Sequence, residues 1–299
     1  MKQIVKEKRE KLTIFTGAFF GILCVYSILM ILLMTWAIST SFKSEIDFKY
    51  NKYGIPQEWT NNFANAFELM IVPTTMKVNG VMQQVGVKIG LQIINSLLYS
   101  IGGAIIMTIV PCFVAYLTAN FPYKFSSFIT NFVIVVMIIP IVGSQAAELS
   151  LLRKLNLFDS IIGNYIQKFH FLGMYYLVFH TSFKGVPKEY SEAASLDGAG
   201  EFYIMTRIIM PFVKTMIYTV FLIKFIELWN DYQTPLLYLP SYPTVSYGVY
   251  YVSVLNPQNG IGTTVRVASS ILIALPLIGL FVAFKDKIIG NLSMGGIKE

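Results

Sequence analysis

Charge is what this 299-residue chain has least of: Asp, Glu, Lys and Arg make up 13% of it, while 55% is apolar. A typical soluble domain is about 25% charged, so an ordinary soluble globular protein is excluded. With 23 Phe and 18 Tyr, disorder is excluded too, since such a chain must bury its surface in something apolar. Cysteine is nearly absent, and Cys24 and Cys112 both fall inside apolar runs, so neither a disulfide framework nor a cysteine metal site can be built. His170 and His180 are the only histidines, and a zinc site would need carboxylates from distant segments. No metal site and no catalytic residue is expected. A Gly-x-x-x-x-Gly-Lys-Ser/Thr phosphate loop is also missing, so any ATP that drives this protein must sit on another chain. The net charge of +7 forms no patch. Its lysines and arginines mark the edges of apolar runs, which reads as membrane topology and not as a nucleic-acid surface.

Long uncharged runs are what the chain does have. Lys11 and Lys43 enclose 31 uncharged residues, Lys88 and Lys124 enclose 35, Lys124 and Glu148 enclose 23, and Arg266 and Lys285 enclose 18. About 20 helical residues cross a bilayer core. Two further apolar segments carry polar residues: one holds Gln167, Lys168 and His170, the other Lys214, Lys224, Glu227, Asn230 and Asp231. The expectation is an all-α integral membrane protein with six transmembrane helices, at 12–42, 89–120, 125–150, 160–183, 208–239 and 266–285, the last kinked at Pro276. Lys2, Lys6, Lys8, Arg9 and Lys11 put segment 1–11 in the cytoplasm, and six spans then return the tail 286–299 to the same side. Segments 43–88 and 240–265 become external loops, the second marked by Pro240, Pro243 and Pro257, and 184–207 a cytoplasmic one.

That cytoplasmic loop reads Pro187-Lys188-Glu189-Tyr190-Ser191-Glu192-Ala193-Ala194-Ser195-Leu196-Asp197-Gly198-Ala199-Gly200. Pro187 suits a helix start, Glu189 and Glu192 suit its positive end, and Gly198 is a natural stop. Tyr190, Ala193, Ala194 and Asp197 share a face, where the alanines would let another backbone approach. Glu192-Ala193-Ala194, three residues, Gly198, nine residues, Ile208, one residue and Met210-Pro211 resemble the signature loop of ATP-binding-cassette (ABC) importer permeases, with Met210 where leucine is usual. The resemblance implies a type I importer permease fold. It implies that Glu189, Glu192, Ala193, Ala194, Asp197, Gly198, Ala199, Ile208 and Pro211 form a coupling loop docking on an ATPase. It further implies a heterodimer with a second homologous permease, an ABC ATPase dimer carrying ATP and Mg, and an extracellular solute-binding protein. This chain itself would hold no cofactor. Asn95-Ser96, Ala115-Tyr116, Phe121-Pro122, Ile139-Pro140, Leu152-Arg153-Lys154-Leu155 with Asp159, Trp229-Asn230-Asp231, and the tail with Gly295-Gly296 resemble the carbohydrate branch of that family. Gly295 and Gly296 would then reach the ATPase. The first external loop departs from that pattern by an apparent insertion at 72–88.

Charged groups at bilayer depth are costly and normally face a watery interior. Lys224, Glu227 and Asp231 share a helix face by their i, i+3 and i, i+4 spacing, as an ion pair between helices or as part of a substrate cavity. Amides and carboxylates bind sugar hydroxyls and aromatic rings their apolar faces, which makes Asn95, Gln167, Lys168, Glu227, Trp229, Asn230 and Asp231 candidates for that cavity. The function expected is permease of a carbohydrate importer, for an oligosaccharide, working by alternating access in a bacterial cytoplasmic membrane. Amino-acid, peptide or phosphate import is the alternative. An ion-coupled secondary transporter would need paired broken helices in two repeated halves, which this sequence does not display.

Overall fold

A computed structural model describes residues 14–78, 81–121, 123–139, 143–257 and 260–292. The chain divides into two compact units, the first formed by the residues up to Asn65 with Gly262–Ile271, the second by Ala66–Ile261 and the residues from Leu272 onward.

In the first unit, α1 (Ile14–Thr40) is apolar on every side and buries none of its most apolar window within the chain, as suits a helix facing lipid or another subunit. Beyond it, α2 (Glu45–Tyr50) starts on Ser44, whose hydroxyl accepts from the Asp47 amide at 3.0 Å. Lys43, at the start of the segment expected to form the first external loop, is 0% exposed and donates its ammonium to the Asn51 carbonyl at 2.5 Å. Glu45 reaches the start of the last helix, α14 (Thr263–Leu292), and accepts from the Thr264 amide at 2.6 Å and its hydroxyl at 2.9 Å. A carboxylate there satisfies amides that have no partner within the helix. Glu45→Ala is expected to cost about 0.5–2 kcal/mol, the range for lost N-caps, and to lower the midpoint of thermal unfolding in detergent, with Glu45→Gln recovering part.

The second unit holds the remaining elements. After α3 (Asn62–Leu69), which bridges the two units in sequence, comes a departure from the all-α expectation: β1 (Ile71–Val78) and β2 (Val81–Lys88) form an antiparallel hairpin, Ile71 opposite Lys88. The apparent insertion at 72–88 is this hairpin. The Thr74 hydroxyl donates to the Pro240 carbonyl at 2.6 Å and ties it to the later external segment.

Helix α4 (Ile89–Asn120) is the axis of this unit and packs on α8 (Met174–Lys184) and α11 (Met210–Asn230). Its buried residues Gln92, Ser96, Tyr99, Gly103, Pro111, Ala115 and Thr118 recur at helical spacing and are mostly small or polar, which lets neighbouring helices approach in lipid. Gly102 and Gly103 are required by proximity, since a Cβ at either would strike Tyr165 or Leu228. The two expected spans at 125–150 and 160–183 are each two helices: α5 (Lys124–Ile138) then α6 (Gln145–Lys154), and α7 (Ile161–Gln167) then α8. Expected span 208–239 likewise ends its helix at Asn230, and a short α12 (Gln233–Tyr238) follows. Among the described residues four helices are long and apolar enough to cross a membrane: Phe15–Thr40, Ile89–Asn120, Glu201–Asn230 and Thr263–Val282.

Candidate functional site

A cavity of about 720 Å³ opens in the second unit, within the usual range of ligand pockets. Met107 of α4, Glu148 of α6, Gln167 at the end of α7, Leu228 and Asp231 at the end of α11, and Tyr238 of α12 wall it together with Lys168. Lys168, His170 and Asp231, where the helices of the expected spans end, supply part of this polar wall.

Hydrogen bonds fix both cavity carboxylates. Glu148 Oε1 accepts from the Ser144 hydroxyl at 2.7 Å, and Oε2 from Gln167 Nε2 at 2.9 Å and the Tyr238 hydroxyl at 3.3 Å. Asp231 Oδ2 accepts from the Tyr99 hydroxyl at 2.6 Å, while Oδ1 accepts from the amides of Gln233 and Thr234, both at 3.0 Å. Those two amides belong to the first turn of α12, so Asp231 ends one helix and caps the next. Lys168, 8% exposed, lays its ammonium 4.7 Å from the centre of the Tyr99 ring. Its stem passes Gly103, where a Cβ would come within 3.2 Å of it.

A smaller cavity of about 250 Å³ shares Met107 and His170 with the first and is walled by Phe171, Gly173, Met174, Tyr175 and Lys224 among others. Gly173 has φ of +141°, a conformation that L side chains rarely adopt, and precedes α8 without offering a side-chain cap. Lys224 pairs with Glu227 at 2.7 Å and sits 4.6 Å from the centre of the Tyr175 ring.

Of the sequence candidates, Gln167, Lys168 and Asp231 are brought together here. The others lie elsewhere. Trp229 is 2% exposed, stacks on Phe225 and donates to the Ile273 carbonyl at 2.9 Å, so it is packing. Asn95 is buried and donates to the Pro243 carbonyl at 3.1 Å. Asn230 donates to the Ile226 carbonyl at 2.9 Å, and neither it nor Glu227 lines the two cavities. Sequence reading missed Glu148, Tyr99 and Tyr238; the only signal was a lone acid closing an apolar run. It also left Asp159 without a role. Asp159 accepts from the Ser241 amide at 2.9 Å and its hydroxyl at 2.5 Å, joining two loops.

The loop after α8 folds into α9 (Glu189–Leu196), which a Schellman motif closes: the Gly198 amide donates to the Ser195 carbonyl at 3.0 Å and the Ala199 amide to the Ala194 carbonyl at 2.9 Å. Gly198 has φ of +84°, as that motif demands. Ala194 corrects one expectation, because it faces inward and is buried while Ala193, Asp197 and the acids Glu189 and Glu192 are exposed. Leu196 is 89% exposed and Phe202 73%. After α10 (Glu201–Tyr203) the backbone widens into a π-helical turn over Ile204–Ile209, where the Met210 amide donates to the Met205 carbonyl. Pro211 follows at once; it has no N–H and its ring would crowd a regular helical turn before it. Gly295 and Gly296 lie outside the described residues. Among the described residues no three His, Cys, Asp or Glu side chains are grouped to hold a metal ion.

The fold resembles the crystal structure of a bacterial ABC transporter involved in the import of the acidic polysaccharide alginate, with a TM-score of 0.70 and 16% identity over 94% of this chain and 98% of that one. The arabinooligosaccharides transport system permease protein AraQ of Bacillus subtilis is 26% identical over 204 residues, 68% of this chain and 72% of that protein. The melibiose/raffinose/stachyose import permease protein MelC of the same organism is 24% identical over 264 residues, 87% and 89% of the two chains. The family profile described as binding-protein-dependent transport system inner membrane component matches residues 110–289, more than half of the sequence. This chain belongs to that family, and is therefore a multi-pass inner-membrane component of a transporter and not an enzyme.

Proposed function

We propose that this chain is the permease subunit of an ABC importer that carries an oligosaccharide across a bacterial cytoplasmic membrane by alternating access. Six spans, with 125–150 and 160–183 each crossing as a broken helix, keep both termini cytoplasmic, and the segments 43–88 and 240–265 face outward. A second homologous permease forms a heterodimer with it, an ABC ATPase dimer binds ATP and Mg, and an extracellular binding protein delivers the sugar. Residues 184–207, with Ile208 and Pro211, contact the ATPase, and Gly295 and Gly296 reach it from the tail. Gln167, Lys168 and Asp231, with Glu148, line the sugar path. The observation that carries this reading is the geometry of α9, closed by Gly198 and presenting exposed Leu196 and Phe202 beside exposed acids, a surface suited to a partner's groove. The sugar branch draws on the named relatives, whose own substrates are oligosaccharides.

Affinity purification of the tagged protein from its native membrane in mild detergent tests it. Recovery of an ATPase and a second permease is the expected result. Recovery of the chain alone, under conditions that preserve such complexes, overturns the importer reading.

A further inference from the structure

In the first unit the chain turns back along α1 after leaving it. The Trp36 indole donates to the Lys52 carbonyl at 2.9 Å and the Ser39 hydroxyl to the Gly54 carbonyl at 3.2 Å. Those donors belong to residues about 6 and 1.5 Å short of the helix end at Thr40, at ~1.5 Å of rise per residue, and helical side chains lean further toward the N-terminus, deeper into the span. The turn 52–55 therefore lies level with the last turn of a helix long and apolar enough to cross the membrane. Its backbone suits that depth. The Asn51 carbonyl accepts from the Lys43 ammonium, the Lys52 and Gly54 carbonyls from Trp36 and Ser39, and the Ile55 carbonyl from Asn51 Nδ2 at 2.9 Å, while Asn51 Oδ1 accepts from the Gly54 amide at 2.9 Å. A loop in open water needs no such partners, because water serves its carbonyls, whereas one at the edge of the hydrocarbon does.

The side chains on this turn are large and uncovered. Tyr53 is 87% and Ile55 79% exposed, and Ile46, Tyr50 and Trp59 are exposed in the same segment. The acids there are engaged by the fold: Asp47 is buried and accepts from the Gln57 amide at 2.8 Å, Glu58 accepts from the Ser44 hydroxyl at 2.8 Å, and Glu45 holds the start of α14. Lys49 and Lys52 are exposed and make no hydrogen bond or ion pair among the described residues. Tyrosine and tryptophan favour the headgroup layer of a bilayer, and lysine keeps its ammonium in water while its stem covers apolar surface. We propose that segment 49–59 is an interfacial anchor, lying in the headgroup layer of the leaflet where α1 ends, the outer one in the proposed topology. Tyr53 and Ile55 enter the boundary with the acyl chains, and Lys49 and Lys52 reach lipid phosphates. A docked binding protein would have to descend below the level of Thr40 to touch Tyr53, whereas lipid already surrounds a span at that depth. The anchor sets how deep α1 sits, and it depends on neither the cargo nor the ATPase.

The test uses the full chain, co-purified with whatever subunits accompany it and reconstituted in vesicles of phosphatidylethanolamine and phosphatidylglycerol. Cys24→Ala and Cys112→Ala clear the background, and Tyr53→Cys and Ile55→Cys, made separately, each carry a nitrobenzoxadiazole fluorophore. Both side chains are exposed, so neither cysteine removes a contact on which the fold relies. The expected result at both positions is a loss of fluorescence to lipids bearing a nitroxide near the headgroup end of the acyl chain, with little loss to iodide in the water. Quenching by iodide as strong as that of the free dye overturns the proposal, since the turn then stands in water. So does a probe that neither quencher reaches, which assigns the surface to a second permease. A probe that iodide reaches until the binding protein is added also overturns it, and assigns the surface to that partner.

Discussion

Valine in place of Gly198 is expected to abolish uptake while leaving the protein in the membrane and the binding protein's affinity for its sugar unchanged. Gly198 has φ of +84° with nothing within 4 Å of where its Cβ would sit, so the lesion is one of backbone conformation and not of crowding. A left-handed residue costs an ordinary side chain about 1–2 kcal/mol, and a β-branched one more. Relief comes only by giving up the two bonds to Ser195 and Ala194 that close α9. A helix of eight residues has little stability of its own and depends on such an end. Asparagine tolerates the left-handed conformation, so Gly198→Asn should retain most of the uptake that Gly198→Val loses. Gly200 supplies the control: its φ is −73° and its surroundings are open, so Gly200→Ala should transport near the wild-type rate. Initial rates of sugar uptake in whole cells, normalised to membrane protein level, separate the four. Full activity in Gly198→Val would remove the loop from the coupling path.

The parts of the molecule that the sequence makes legible are those where one physical effect dominates. α1, α4 and the stretch 267–284 of α14 are long uncharged runs, and solvent exclusion alone dictates them. The loop at 187–211 is legible because each special residue has a local job: Gly198 closes a helix and Pro211 follows a widened turn. The helix ends at Ile138 and Gln167 are not legible in that way, because a helix interrupted inside protein is settled by partners far away in sequence. Glu148 illustrates this: its hydrogen-bond partner Tyr238 is 90 residues distant. The hairpin did carry a local signal, since Asn79-Gly80 between two β-prone runs favours a two-residue turn. Trp229 and Asn95 show the limit of chemical suitability as a guide. Both could bind a sugar, but direction decides, and the helix turns both toward neighbouring carbonyls.

Asp231 joins two roles that different substitutions separate. Its Oδ1 caps the first turn of α12, and its Oδ2 holds the hydroxyl of Tyr99, whose ring lies against the Lys168 ammonium. Alanine removes all three hydrogen bonds and the negative charge facing a buried lysine. With about 1–3 kcal/mol lost for each group left unsatisfied, Asp231→Ala is expected to unfold well below the wild-type temperature and to accumulate poorly in the membrane. Asparagine keeps an oxygen for the Gln233 and Thr234 amides and an amide that can donate to the Tyr99 oxygen, so Asp231→Asn should fold at near the wild-type temperature. What it lacks is the charge. Transport by Asp231→Asn should therefore show a changed half-saturating concentration with little change in maximal rate, because the lysine that meets the substrate is no longer balanced from the same direction. Thermal unfolding in detergent and uptake kinetics, measured on both variants, decide it. If Asp231→Asn matches the wild type in both, the residue is a helix cap alone. If both variants lose stability equally, the charge belongs to the fold and not to the substrate path.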